Sequence, residues 1–181
     1  MRYAQMRSMD VSNGEGIGVS LFVQGCHFHC ENCFNSETWD FSGGKDFTIE
    51  EKDKFLDLIN HPWIVRISIL GGEPLAKENL AGVLDLVKAI RAAFPTKKIW
   101  LYTGYTLKDI IDGIGYSKLG TSFFIEEGEM RYDIFSLCDV CVDGQYIDNL
   151  KDPTLHWKGS LNQKVIDVKK SLYTGQLVLY N

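Results

Sequence analysis

Cys26, Cys30 and Cys33 are the residues of this sequence whose types and spacing are most capable of chemistry. Their C-x3-C-x2-C spacing places three thiols in one short loop, where they can bind a single inorganic core. A 4Fe-4S cluster normally takes four cysteines, so three ligands leave one iron with an open coordination position. An open position is typical of a catalytic metal centre. The triplet therefore predicts a 4Fe-4S cluster with these cysteines as its metal ligands.

Zinc is the alternative to iron at this triplet, because mixtures of cysteine and histidine commonly bind zinc. His27 or His29 would complete such a site, but His27 directly follows Cys26 and is badly placed to share its metal. We expect both histidines to lie near a cluster without binding it. Cys138 and Cys141 form a second C-x2-C, with no further pair to complete a metal site. We expect them to be buried thiols.

Three other motifs follow predicted strands. Gly71, Gly72 and Glu73 come after one strand, Thr103 after the next and Asp143 after a third. Each motif has an ordinary structural explanation, because glycines form turns and Thr or Asp side chains cap helices. The loops after parallel strands meet at one edge of a sheet, however. The sequence therefore predicts that these residues lie around the same pocket as the cysteines.

The elements that position these residues alternate between strand and helix. The apolar pattern predicts helices from about Thr48 to Ile59, from Leu80 to before Pro95 and from Leu107 to Ile114, and a solvated loop over the acidic stretch Gly120 to Arg131. Strands are predicted at Gly18 to Gln24, Ile64 to Leu70, Lys98 to Tyr102 and Val140 to Val142, with weaker signals for a strand at Lys164 to Val168, a helix at Lys169 to Tyr173 and a closing strand at Gln176 to Tyr180. This order predicts an α/β fold with parallel strands, as a partial, open (β/α) barrel trimmed relative to a TIM barrel. We expect residues 1–181 to form a single domain.

Composition narrows the function classes. The net charge of −5 provides no basic stripe, so a nucleic acid is not an expected partner. The sequence contains no apolar run of the roughly 20 residues that a membrane helix needs, and no signal-peptide pattern at its start. Five cysteines is an odd number for a disulfide framework. We therefore expect a cytoplasmic location without a membrane partner.

Several motifs together resemble a known family. The cysteine triplet followed by Gly71 to Pro74 resembles the radical S-adenosylmethionine superfamily. Within it, stretches along nearly the whole chain are similar to the activating proteins of anaerobic (class III) ribonucleotide reductase. These stretches are Asn13 to Gly16, Leu21 to Cys26, Cys33 to Asn35, Glu37 to Phe41, Val142 to Gly144 and Gly159 to Val168. The triplet is specific for the superfamily, whereas the Glu-Thr-Trp and C-terminal stretches point to the activating proteins.

The resemblance implies an enzyme that reductively cleaves S-adenosylmethionine at the open iron. The resulting 5′-deoxyadenosyl radical would take hydrogen from a glycine of the partner reductase and leave a glycyl radical there. A flavodoxin or ferredoxin would supply the electron. No catalytic residue is implied beyond the cluster and the cofactor.

The resemblance also assigns cofactor contacts by position. Gly71 and Gly72 would let the backbone approach the methionine part, and Glu73 or the loop carbonyls would receive its ammonium group. Thr103 and Asp143 would contact the ribose, the carboxylate or a cation. The family often has an aromatic residue before the third cysteine, where this chain has Asn32, so the backbone of Asn32, Cys33 and Phe34 is the expected adenine contact.

Other functions remain open at the level of sequence. One is a different radical enzyme, such as a pyruvate formate-lyase activase or a small-molecule synthase. Another, from a different class, is a non-catalytic iron-sulfur electron carrier or a zinc-stabilised binding module. Cleavage of S-adenosylmethionine under reducing conditions separates the second class from the first.

Overall fold

The computed structural model describes residues 1–116 and 122–181. These residues form a seven-stranded sheet in the order β3-β1-β2-β4-β5-β6-β7. The strands are β1 (Arg2–Asp10), β2 (Gly18–Val23), β3 (Lys45–Asp46), β4 (Arg66–Gly71), β5 (Lys98–Tyr102), β6 (Val140–Asp143) and β7 (Lys164–Asp167). Five α-helices are described: α1 (Ile49–Ile59), α2 (Lys77–Ala93), α3 (Leu107–Tyr116), α4 (Ser122–Leu137) and α5 (Val168–Thr174). The α/β class predicted from the sequence is confirmed.

The sheet is mixed, so the prediction of parallel strands alone is wrong. Strands β2, β4, β5 and β6 are parallel neighbours. Strand β1 runs antiparallel to both β2 and β3, and β7 runs antiparallel to β6. Strands β1 and β2 are antiparallel because the connection between them is short, whereas a parallel pair needs a crossover of a dozen or more residues. Between β6 and β7 the chain forms a short 3-10 helix at Asp148–Leu150 and an isolated antiparallel bridge between Lys151 and Ser160, and residues 144–163 contain no α-helix that could cross over the sheet.

The two faces of the sheet have different partners. Side chains alternate along each strand, so one set faces the helices and the other faces away. The helix-facing set includes Leu21, Ile69 and Cys141, which pack with α-helical residues in the main core. The opposite set includes Trp100 and Val142, which form a second, smaller cluster. The second face is the one that carries the site.

Helix α4 replaces a predicted loop. Gly120 lies outside the described residues, but 122–131 are helical. Gly128 within this stretch is needed for helix packing, because a Cβ on it would lie 2.4 Å from the carbonyl oxygen of Gly113 in α3. The acidic residue Glu127 pairs with Arg131 at 3.3 Å, one helical turn further on. This segment is therefore helical because of its packing against α3, although its acidic composition is typical of a loop.

The first helix begins as the sequence predicts, since the Thr48 side chain accepts a hydrogen bond from the backbone N–H of Glu51 at 3.4 Å. Cys138 and Cys141 are fully buried, which confirms their prediction as core thiols. In the described part of the chain, no helix is long and apolar enough to cross a membrane.

Candidate active site

The cysteine loop, residues 24–44, joins β2 to β3 and is fixed at both ends. The backbone N–H groups of Gly25 and Cys26 donate to the carbonyls of Thr38 and Trp39, at 2.7 and 3.0 Å. At the far end, the Arg2 guanidinium donates to the carbonyls of residues 43 and 44 at 2.6 and 2.9 Å. Because both ends are held, the cysteines sit on a loop of defined shape.

The three cysteines of this loop line one cavity of about 650 Å³. This volume lies within the range of about 300–1,000 Å³ that small-molecule sites occupy. Burial raises the pKa of Cys26 to about 11 and also raises the pKa of Cys30. Metal binding at these thiols must therefore displace protons. In the described part of the chain, no three side chains of His, Cys, Asp or Glu converge on one point as a single ion requires. A cluster makes no such demand, since each cysteine binds a different iron.

The two histidines of the loop have other contacts. Nε2 of His27 lies 3.0 Å from a carboxylate oxygen of Glu78, and its ring packs on Phe41. His29 packs on Trp39 with ring centroids 4.7 Å apart. Neither histidine lines the cavity with the cysteines. Both histidines therefore lie beside the cavity, and their exclusion from the ligand set stays a prediction.

Gly71 and Gly72 bring the loop after β4 directly against the cysteine loop. Gly71 has a φ of +103°, a conformation that favours glycine. A Cβ on Gly72 would lie 2.4 Å from the carbonyl oxygen of Gly25. The Glu73 backbone N–H donates to that same oxygen at 2.7 Å. The glycines therefore allow a close backbone approach, and both line the cavity.

Glu73 joins the loops after β4 and β5. One carboxylate oxygen accepts from the Thr103 hydroxyl at 2.7 Å and from the Leu75 N–H at 2.8 Å, and the other accepts from the Gly104 N–H at 2.7 Å. Burial raises the pKa of Glu73 to about 7 despite these hydrogen bonds. Glu73 and Thr103 both line the cavity, as predicted. Their mutual hydrogen bond fixes the relative position of two cavity walls.

Asp143 is placed differently from the expectation. Its carboxylate accepts the backbone N–H of Leu107 at 2.9 Å, at the start of α3, and that of Lys164 at 3.2 Å. It is buried and does not line the cavity, whereas its neighbour Gly144 does. The sequence left two roles open for Asp143, a contact in the cavity and a helix cap, and the structure supports the cap. The alternation of β6 explains this, because Val142 faces the cavity and the next side chain must face away.

The remaining predicted contacts differ in their placement. Phe34 lines the cavity and is 67% exposed, with its ring edge-to-face on Tyr146 at 5.6 Å. Asn32 is exposed, does not line the cavity, and donates from its side-chain amide to Asp148 at 2.8 Å. One cavity thus collects most of the predicted residues: Cys26, Cys30, Cys33, Phe34, Gly71, Gly72, Glu73 and Thr103.

Comparison with known proteins agrees with this geometry. A family model described as "4Fe-4S single cluster domain" matches residues 12–166. The anaerobic ribonucleoside-triphosphate reductase-activating proteins of Salmonella typhi and Escherichia coli K12 are 38% and 36% identical over 167 residues. These alignments cover 91% of this chain and 97% of each relative. The chain belongs to this activating-protein family.

The Enterobacteria phage T4 member of the activating-protein family is 33% identical over 165 residues, which is 91% of this chain and 93% of that protein. The match to a 4Fe-4S domain confirms the prediction of an iron-sulfur protein.

A segment that the residue reasoning did not place at the site covers the cavity. We call residues 144–163, between β6 and β7, the strap. The Gln163 side chain closes it by donating to the Gly144 carbonyl at 2.8 Å and accepting from the Gly159 N–H at 2.9 Å. Trp157 of the strap has a φ of +61° and packs edge-to-face on Trp100 at 5.0 Å. The sequence pointed to part of the strap only through the stretch Gly159 to Val168, which resembles the activating-protein family.

The turn between β1 and β2 forms another part of the cavity wall. Ser12 and Asn13 line it. The buried guanidinium of Arg66 holds the turn by donating to the Asn13 carbonyl at 2.6 Å and the Asp10 carbonyl at 2.5 Å. The stretch Asn13 to Gly16 had indicated the family but no position at the site.

Proposed function

We propose that this chain is the activase of anaerobic ribonucleoside-triphosphate reductase. The observation that supports this most directly is the single cavity that collects three thiols and the backbone of Gly71 and Gly72. The curated relatives are named as activating proteins of that reductase over nearly the whole chain. Site geometry and family membership therefore support the same activity.

In this proposal Cys26, Cys30 and Cys33 bind three irons of a 4Fe-4S cluster, and S-adenosylmethionine binds at the open fourth iron. The residues present are suited to both groups, because the three thiols line the same cavity as Gly71 and Gly72, whose loop can lie directly against the cysteine loop only because Gly72 has no Cβ. When bound and reduced by the electron donor, the cluster would pass one electron to S-adenosylmethionine, whose carbon–sulfur bond would break to give methionine and a 5′-deoxyadenosyl radical able to take hydrogen from a reductase glycine.

The chain's own residues orient and shield these groups. The Gly71 and Gly72 backbone approaches the methionine part, and the loop carbonyls or Glu73 receive the ammonium group. Thr103 holds Glu73 in place at 2.7 Å. The backbone of Asn32, Cys33 and Phe34 contacts the adenine, and the strap keeps water from the reacting atoms. Asp143 contributes indirectly, by fixing the start of α3.

The proposal includes three further statements. Residues 1–181 act as a single domain whose open sheet curves as a partial barrel around the cavity. A flavodoxin or ferredoxin type of protein donates the electron. The location is cytoplasmic, where a reducing environment preserves the thiols.

The test compares the wild type with Cys30→Ala under oxygen-free conditions. We expect the wild type to bind four irons, to show an electron paramagnetic resonance signal that S-adenosylmethionine perturbs, and to generate a glycyl radical on the reductase. Cys30→Ala removes a proposed ligand, so we expect cluster assembly and radical formation to be lost while the fold persists.

Cys138→Ala is the matched control, since Cys138 is a buried thiol of the helix-facing core. It should retain the cluster and lose only stability, by about 1–2 kcal/mol from the small volume removed. A glycyl radical on pyruvate formate-lyase but not on the reductase would refute the proposed partner. Absence of S-adenosylmethionine cleavage by the iron-loaded wild type would refute the proposed chemistry.

A further inference from the structure

The mouth of the cavity is marked by residues that line it and are also exposed to solvent. In the described part of the chain these are Arg7, Ser12, Phe34 and Gln145. Arg7 is the charged residue of this set. The other charged residues described in the cavity wall are Glu73, which is buried, and Lys158, whose ammonium group donates to the Gln163 carbonyl at 2.8 Å. Arg7 is therefore the charged group that an incoming molecule meets at the mouth.

The sheet determines where the Arg7 side chain lies. Arg7 belongs to β1 and is paired with Ser20 of β2. Its guanidinium carbon lies 4.4 Å from the centroid of the Phe22 ring, and Phe22 is a buried residue that lines the cavity. A planar guanidinium that stacks on an aromatic ring keeps a defined orientation while its N–H groups stay at its edge. The Arg7 donors are therefore oriented over the part of the cavity that β1 and β2 form.

Most of the Arg7 donors have no acceptor among the described residues. An arginine carries five N–H donors. Nε of Arg7 lies 3.5 Å from the side-chain oxygen of Gln5, at the limit of a hydrogen bond, and Nη1 lies 3.9 Å from a carboxylate oxygen of Asp10. That oxygen already accepts shorter hydrogen bonds from Asn13 and Ser20, at 2.6 and 2.7 Å. Because the Arg7 side chain is 44% exposed, an oxygen atom of another protein can reach its donors.

The proposed cofactor contacts leave the β1–β2 side of the cavity to another molecule. Gly72, the proposed methionine contact, follows β4. Phe34, whose backbone is a proposed adenine contact, packs on Tyr146 of the strap, which follows β6. The cofactor would therefore extend from β4 towards β6. Strand β1 lies on the other side of β4, with β2 between them, and two strand spacings are about 10 Å. Arg7 is thus on the side that remains for the reductase.

The target of the proposed reaction determines which acceptor fits Arg7. Glycine has no side chain, so the target residue itself offers only backbone N–H and carbonyl groups. A guanidinium contains donors and no acceptor, so it binds the carbonyl oxygens of such a segment. Hydrogen bonds of this kind hold the segment by its backbone, whichever side chains flank the glycine.

We propose that Arg7 is a substrate-binding residue at the mouth of the cavity, whose guanidinium donates hydrogen bonds to backbone carbonyls of the reductase segment that carries the target glycine. This proposal rests on the proposed function and names a residue that binds its protein substrate. Arg7 holds the segment beside the cavity and takes no part in breaking a bond.

The test is Arg7→Met, which removes the donors and keeps a flexible apolar side chain that can still pack on Phe22. The measurement is the rate of glycyl radical formation at increasing concentrations of reductase, under oxygen-free conditions. We expect the apparent KM for the reductase to rise about tenfold, as loss of hydrogen bonds from a charged group predicts, with kcat within about twofold of wild type. Cleavage of S-adenosylmethionine without the reductase is measured beside it.

Lys88→Met is the matched control. Lys88 is an exposed residue of helix α2 and does not line the cavity. Both variants make the net charge one unit more negative, so they change long-range attraction between the two proteins to a similar extent. Lys88→Met should keep the wild-type KM for the reductase.

Each other result has a definite meaning. A wild-type KM in Arg7→Met would overturn the proposal, and so would an equal rise in Lys88→Met, which would show an effect of overall charge. A matching loss of S-adenosylmethionine cleavage without the reductase would show that Arg7 serves the cofactor, which also overturns it. If the wild type itself forms no radical on the reductase, the proposed function fails and the Arg7 proposal fails with it. An active wild type beside a wild-type KM in Arg7→Met overturns the Arg7 proposal alone.

Discussion

Gly72→Ala is the substitution whose effect follows most directly from the structure. The added Cβ would lie 2.4 Å from the carbonyl oxygen and 2.9 Å from the carbonyl carbon of Gly25, where ordinary contacts begin at 3.4 Å. Both atoms belong to the backbone, so no side-chain rotation relieves the contact. The loop after β4 must therefore move about 1 Å away from the cysteine loop.

Two magnitudes follow from this displacement. Overpacking of this kind costs about 1–3 kcal/mol of stability. A shift of about 1 Å in a positioning group can reduce a reaction rate by about a hundredfold. We expect Gly72→Ala to fold, to bind iron, and to cleave S-adenosylmethionine about ten to a hundred times more slowly than wild type.

The assay is anaerobic production of 5′-deoxyadenosine per bound cluster, measured beside thermal unfolding. Gly82→Ala is the matched control, because Gly82 lies within helix α2 and the three atoms nearest to an added Cβ belong to the Met1 side chain, at 2.8–3.0 Å, and not to the cysteine loop. It should keep full activity, because the crowding is confined to Met1, whatever the balance between that crowding and the preference of a helix for alanine over glycine. Equal cleavage rates for wild type and Gly72→Ala would refute the close-approach argument.

Three further changes have defined outcomes. Asp143→Ala should lower the free energy of unfolding by about 1–3 kcal/mol, because the backbone N–H groups of Leu107 and Lys164 lose their acceptor. The electron paramagnetic resonance spectrum should still respond to S-adenosylmethionine, and loss of that response would show that Asp143 contacts the cofactor directly. Burial raises the pKa of Asp10, but hydrogen bonds outweigh it and set the value to about 2, below 3.8. Between pH 3.8 and 2 the unfolded chain therefore binds more protons than the folded chain. Asp10 should contribute about 2 kcal/mol to the free energy of unfolding above pH 3.8, and this contribution should be lost as the pH falls towards 2. Asp10→Asn should flatten this part of the acid-unfolding curve, and an unchanged curve contradicts the assignment. In Gly128→Ala the added Cβ would lie 2.4 Å from the Gly113 carbonyl oxygen, so the free energy of unfolding should fall by about 1–3 kcal/mol. An unchanged midpoint of denaturant unfolding would disprove this.

The parallel strands were predictable because each is an apolar run followed by glycine or a polar turn. Strand β1 was not predicted, because its sequence from Arg2 to Asp10 mixes charged and apolar residues and two of its nine residues are buried. Its pairing with β2 depends on a turn that Arg66 holds from a distant part of the chain. Helix α4 likewise depends on a contact between Gly113 and Gly128 that local composition cannot indicate.

Most of the site followed from one rule, that loops after parallel strands share an edge. The rule brought Gly72 and Thr103 to the cysteines, and it was insufficient for Asp143 because it ignores side-chain alternation within a strand. Applying that alternation to β6 would have separated Asp143 from the cavity-facing Val142. The rule places the start of the strap at the site, because Gly144 directly follows β6, but it does not place the later residues of the strap, whose return to the cavity depends on Gln163 reaching Gly144.

The distribution of thiols over the two faces of the sheet makes the chain its own folding reporter. Three of the five cysteines lie partly exposed on one loop, and the other two are fully buried against the helices. Before a cluster is loaded, a small alkylating reagent should therefore label three sites on the folded chain and five on the unfolded chain. The mass difference of two adducts then measures the unfolded fraction without any engineered residue.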